Sequence, residues 1–262
     1  PPPADWNLNP VYTQAVMVDD FPVIASAKVH PAALREAAFL IHNMLRHRPD
    51  VLRELAKRRV RFVVMGYQEY TTDVPEHSDL TPAKYWNRRA RGLGASKERP
   101  AVSCGEENLL CYPGDPYPKE NILVHEFAHA IDEMALRQLS PDFAARLQAT
   151  YTQARDDGLW KDAYAMTNPQ EYWAEGVQSY FGTNRENDAV HNHVNTRAEL
   201  EEYDPRLFEL IDHEFRQNPW TYQRPPDREP AGRAHLGDYD AAKAPTFAWP
   251  VDIKDVDLND DQ

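Results

Sequence analysis

Apolar positions recur along the chain with two periods, and the longest helical repeat runs through residues 120–138. Ile122, Leu123, Val124, Phe127, Ala128, Ala130, Ile131, Met134 and Ala135 leave few polar positions there, which predicts a buried helix. Upstream, Leu34, Ala37, Ala38, Ile41, Met44 and Leu45 follow His30-Pro31 at helical spacing, predicting an amphipathic helix opened by proline. A short helix restarts at Pro49-Asp50 through Leu52, Leu55 and Ala56. Residues 60–65 predict the clearest strand, closed by Gly66, while 16–18 and 21–25 are strand-like or packed coil. Residues 101–103 and 108–112 predict a hairpin just before the long helix. Its exposed edge would suit an extended peptide adding as a further strand.

The second half is helical. Ser140-Pro141-Asp142 opens a helix with Phe143, Leu147 and Tyr151 inward, ending near Gly158. Asn168-Pro169 opens another that runs to about Phe181 and stops at Gly182. Asp204-Pro205 opens a third with Leu207, Leu210, Ile211 and Phe215. Residues 69–100 are expected to be a long surface excursion. Its basic run, Arg88-Arg89-Ala90-Arg91, reads as a solvated face or as a cleft wall touching substrate. The expected fold class is therefore α+β, a small mixed sheet with helices carrying any site. Residues 1–225 are expected to form one domain. Residues 226–262 are expected to be a proline-rich, acidic tail held on its surface by aromatics such as Tyr239, Phe247 and Trp249, with an end that frays.

Charge and composition narrow the function. A net charge of −13 argues against nucleic acid as a partner, since such binders carry a basic stripe. No run of eighteen apolar residues is present to span a membrane. The chain begins at Pro1 rather than Met, so a removed signal peptide and a secreted or periplasmic location are expected. Cys104 and Cys111 flank a turn-like Gly105-Glu106-Glu107-Asn108. A disulfide closing a hairpin would fit and would imply an oxidising compartment; two free thiols are the alternative.

The candidate chemistry lies in the buried helix. His125-Glu126-Phe127-Ala128-His129 reads H-E-x-x-H. Two histidines four apart on a helix lie on one face, about 40° apart, so both imidazoles can reach one ion. Glu126 sits beside that face and can take a proton from a water there without itself being a ligand. Downstream, Glu171 and Glu175 are four apart in the helix that starts at Asn168. Glu171 could cap that helix, because Asn168-x-x-Glu171 has capping-box spacing, or it could face a cation. His191 and His193 are candidates for a second metal or for the cleft, or are surface residues.

Taken together, His125-Glu126-Phe127-Ala128-His129-Ala130-Ile131-Asp132 and, after a spacer, Tyr164-x-x-Thr167-Asn168-x-x-Glu171-Tyr172-Trp173-Ala174-Glu175 resemble the catalytic region of the anthrax lethal factor-type zinc peptidases, among the gluzincins. The resemblance covers about residues 120–185 and implies a zincin-like domain. It implies one Zn²⁺ on His125, His129 and Glu171, with Glu126 as general base and Tyr164 as the phenol that supports the tetrahedral intermediate. Glu175 becomes a carboxylate that orients a ligand histidine. Asp132 matches an acidic position of undefined role. The metzincin pattern is excluded, because its Gly and His positions hold Asp132 and Ala135. The expected function is zinc-dependent endopeptidase action on a peptide or protein substrate by a monomer. The alternatives are a zinc amidohydrolase on a non-protein amide or glycopeptide, and a binding protein with a non-catalytic zinc site.

Overall fold

The computed structural model describes residues 2–258 and has an α+β architecture. Strands β1 (Tyr12–Val18) and β2 (Phe21–Ser26) form an antiparallel pair, followed by helices α1 (Pro31–Met44) and α2 (Pro49–Lys57). Strand β3 (Arg61–Met65) then pairs parallel to β2. Helix α3 (Ala83–Arg89) leads into β4 (Gly92–Leu93), which pairs antiparallel with β5 (Ala101–Gly105); β5 in turn runs parallel to β3. The five-stranded mixed sheet has the order β1-β2-β3-β5-β4, so the two-residue β4 is one edge. The helical part continues with α4 (Glu106–Leu109), α5 (Ile122–Ile131), α6 (Arg137–Leu139), α7 (Phe143–Asp156), α8 (Pro169–Phe181), α9 (Arg197–Tyr203), α10 (Pro205–Glu214) and α11 (Val251–Lys254).

The central strands are apolar at nearly every position because both faces of the sheet are covered. Val23, Ala25, Phe62, Val64, Val102 and Cys104 point into the large core shared with the helices. Their alternates Ile24, Val63, Met65 and Ala101 meet Tyr12 and Val74 on the other face. Phe127 of α5 seats the helix on the sheet, with ring centroids 5.6 Å from Phe21 and 6.3 Å from Phe62. Its N-terminus is capped by Asn121, whose side chain accepts from the Val124 amide. The predicted 120–138 helix runs without a break from Ile122 to Leu139, but its winding is not uniform. It widens into a π-turn over Asp132–Leu136, where buried Asp132 pairs with Arg137 at 2.7 and 3.1 Å.

Two expectations fail around residues 88–112, and a third is met in part. The hairpin partner of β5 is β4, not residues 108–112, which begin in the helical turn α4. Asn108 is the reason. Its buried amide donates to Asp115, the Tyr117 carbonyl and the Glu120 carbonyl, and its oxygen accepts from the Ile122 amide. Cys104 and Cys111 are free thiols, not a disulfide. With a helical turn between them, the cross-strand register that would face the two sulfurs is missing. The oxidising-compartment expectation loses that ground. The basic run is not one solvated face. Arg91 is fully buried in a bidentate pair with Glu107 at 2.6 and 2.9 Å, Arg88 stacks on Trp249, and Arg89 faces the cleft described next.

The C-terminal segment lies along α3. Phe247 is buried and donates its amide to the Pro113 carbonyl, and Ile253 of α11 is buried. The fraying expected at the end falls partly on 259–262, outside the described residues.

Candidate metal centre

Helices α5 and α8 bring the candidate residues together. Trp173 of α8 donates its indole N–H to the carbonyl of Ala128, inside the H-E-x-x-H segment, at 2.9 Å and fixes their register. Gly176 then lets α10 close on the far side of α8, because a Cβ there would lie 2.6 Å from Leu207. Asn168 caps α8 by accepting the Glu171 amide at 2.8 Å. The Glu171 carboxylate does not return to close a capping box; it reaches the histidines.

The donor atoms converge. His125 Nε2 and His129 Nε2 are 3.2 Å apart, and Glu171 Oε2 lies 3.1 Å from the first and 3.3 Å from the second. A tetrahedral zinc with bonds of about 2.0–2.1 Å separates its ligand atoms by about 3.3–3.4 Å. The three atoms therefore already form one face of such a site. Among the described residues no other group of three or more such donors meets this spacing.

Electrostatics point the same way. Burial disfavours charge on His125, but the Glu171 hydrogen bond and the charges of Glu126, Glu175 and Glu171 outweigh it and push its pKa up to about 10. Burial likewise works against a charged Glu171. Hydrogen bonds from His125 and His129 overcome it and hold the carboxyl well below its ordinary range. The residues around this focus demand positive charge. Without an ion a proton supplies it, and a divalent cation fits the donor set better.

Glu126 lines the same cleft and makes no ion pair among the described residues; burial raises its pKa against the pull of His125 and His129. Tyr164 sits in a short 3₁₀ turn and is anchored by its amide donating to the Val190 carbonyl at 2.7 Å. Burial and the nearby Glu171 and Glu126 raise its pKa, so the phenol keeps its proton. The cleft holds about 320 Å³ and is walled by Trp86, Arg89, Leu93, Tyr117, Ile122 and Arg185.

Of the remaining candidates only Glu175 lines this cleft. Glu175 is 3.6 Å from His125 Nδ1, beyond hydrogen-bond distance; it accepts from Asn184 at 3.0 Å and faces His191 Nε2 at 3.4 Å. His191 is buried behind Glu175, with Nδ1 2.8 Å from Asp188. His193 is exposed, edge-on to Tyr203, and does not line the cleft. Sequence reasoning missed Gln178, whose Oε1 lies 2.8 Å from His125 Nδ1. Its only signal is a lone amide one turn beyond Glu175 in an otherwise apolar stretch.

No family model matches the chain, and no curated protein matches it in sequence. Among solved structures it is similar to the PRO-PRO endopeptidase PPEP-2 from Paenibacillus alvei, with 17% identity and a TM-score of 0.43 over 75% of this chain and 98% of that one. A likeness this loose carries no argument about activity, and the case for chemistry rests on the side chains above.

Proposed function

We propose that the chain is a zinc-dependent endopeptidase with His125, His129 and Glu171 as the metal ligands. The observation that carries this is the triangle of donor atoms with 3.1–3.3 Å edges at the floor of an open cleft, beside an unpaired acid and a protonated phenol. Bound there, zinc supplies Lewis acidity toward a water and a carbonyl oxygen. The Glu126 carboxylate takes the proton of the attacking water and returns it to the leaving amine nitrogen. The Tyr164 hydroxyl donates a hydrogen bond to the oxygen on which charge develops. Edge strand β4 presents its free side to an extended peptide, which can pair with it as a further strand. The substrate is thus a peptide or protein segment, and the enzyme acts as a monomer. Residues 1–225 form the catalytic unit, with the described residues after them packed on it.

The mechanism is tested with Glu126→Gln, assayed on a mixed peptide library with zinc content measured alongside. Cleavage should fall by about 10²–10⁴-fold while zinc is retained. A variant as active as the wild type would remove Glu126 from the chemistry. Zinc without cleavage in the wild type would favour the amidohydrolase or binding-protein alternatives.

A further inference from the structure

Gln178 is a fully buried polar side chain in α8 to which the proposed chemistry gives no role. Its amide is held at both ends. Nε2 faces two acceptors, the Glu120 carboxylate at 3.3 Å and the Asn121 carbonyl at 3.4 Å. The Glu120 carboxylate is itself held by Arg185 at 2.9 Å. Reversing the amide would set its oxygen against two other oxygens, so Oε1 must be the atom that faces His125 Nδ1. An acceptor at Nδ1 requires the ring proton there. Nε2 is then the ring nitrogen left to meet Glu171 and His129, and its lone pair is the one an ion there would use.

We propose that Gln178 is a positioning residue for the metal centre, fixing the His125 ring so that Nε2 is presented to the ion, with Glu120 and Arg185 setting the direction of its amide. This rests on the reading of His125, His129 and Glu171 as ligands. It assigns to Gln178, at 2.8 Å from Nδ1, the role that position alone suggested for Glu175, whose Oε2 is taken by Asn184 and His191 and whose Oε1 lies 3.6 Å from the same Nδ1. A neutral amide orients the ring without adding another negative charge to a pocket that already holds Glu120, Glu126, Glu171 and Glu175.

The test measures Zn²⁺ affinity by chelator competition and the absorption bands of the Co²⁺-substituted protein, neither of which needs turnover. Gln178→Met keeps the length of the side chain and removes the acceptor, and should lose about 10–100-fold in Zn²⁺ affinity with altered Co²⁺ bands. Exchanging the pair, Gln178→Glu with Glu120→Gln, again places an oxygen at Nδ1 and an amide donor behind it. This variant should bind within about threefold of wild type. Wild-type affinity in Gln178→Met overturns the proposal, as does an exchanged variant that binds as weakly as Gln178→Met. If methionine prevents folding, the exchanged variant decides by itself: near-wild-type affinity supports the role, and weak binding overturns it. A wild type that binds no Zn²⁺ would instead defeat the ligand reading, and this proposal with it.

Discussion

Tyr164 is placed by its amide on the Val190 carbonyl and by its ring, 6.4 Å from those of both His125 and His191. A phenol held this way, and kept protonated by burial among carboxylates, is suited to donating a hydrogen bond to a developing oxyanion. Tyr164→Phe removes only that donor, so kcat should fall about 100-fold with little change in KM and unchanged zinc content. Steady-state kinetics on one peptide substrate checks this, and an unchanged kcat would leave Tyr164 a packing residue. At this scale the sequence was most informative where local spacing settles geometry. His125 and His129 need only a helix to share a face. Glu171 was ambiguous because Asn168 offers it a local use as a cap. The structure separates the two uses: the Glu171 amide makes the cap and its carboxylate joins the histidines. Gln178 was unreadable because its meaning depends on Glu120, a residue from another part of the chain.

Among the elements, β4 controls how closely the sheet edge approaches α5. Its two residues are too few to show a period, and the sequence reading placed the exposed edge at 108–112 instead. Gly92 permits the approach. A Cβ there would lie 2.5 Å from Ile122 Cγ2 and 2.8 Å from the Ser103 carbonyl oxygen, and the second is backbone that cannot step aside. Gly94 plays a similar part against His129, at 2.9 Å from its Cβ. Gly92→Ala should therefore destabilise the protein by about 1–3 kcal/mol through overpacking. Denaturant unfolding of the metal-free protein reads that loss, and wild-type stability would mean that β4 can shift away at no cost. The helices were more legible than the strands, since Pro31, Pro49, Pro169 and Pro205 each stand in the first turn of one. The short α4 was missed because buried polar side chains build it, rather than an apolar stripe.

For the whole molecule, the excess of acid matters less than where the acids are buried. Asp115 is buried beneath α4, and desolvation pushes its pKa up to about 6 despite hydrogen bonds from the Tyr117 amide and Asn108. Its folded value exceeds its unfolded one, so the group costs nothing below about pH 4. As pH rises from there to about 6 the unfolded chain ionises first, and stability falls by about 2–3 kcal/mol. Asp115→Asn should remove that part of the pH dependence, measured as the difference between variant and wild type in urea unfolding at pH 4 and pH 7. An unchanged pH profile would show that Asp115 ionises as easily folded as unfolded. The long-range arrangement, with the last described residues lying along α3 at the cleft wall, was visible beforehand only as scattered aromatics. Their partners, Pro113 and Arg88, lie more than a hundred residues away.

In the proposed enzyme α8 supplies the third ligand to a catalytic zinc. Zinc content of wild type and Glu171→Ala, with peptide cleavage measured on the same samples, tests it most directly. One zinc per chain is expected in the wild type, sharply reduced zinc in Glu171→Ala, and cleavage by the wild type only. Full zinc retention in Glu171→Ala would contradict it and move the third ligand elsewhere.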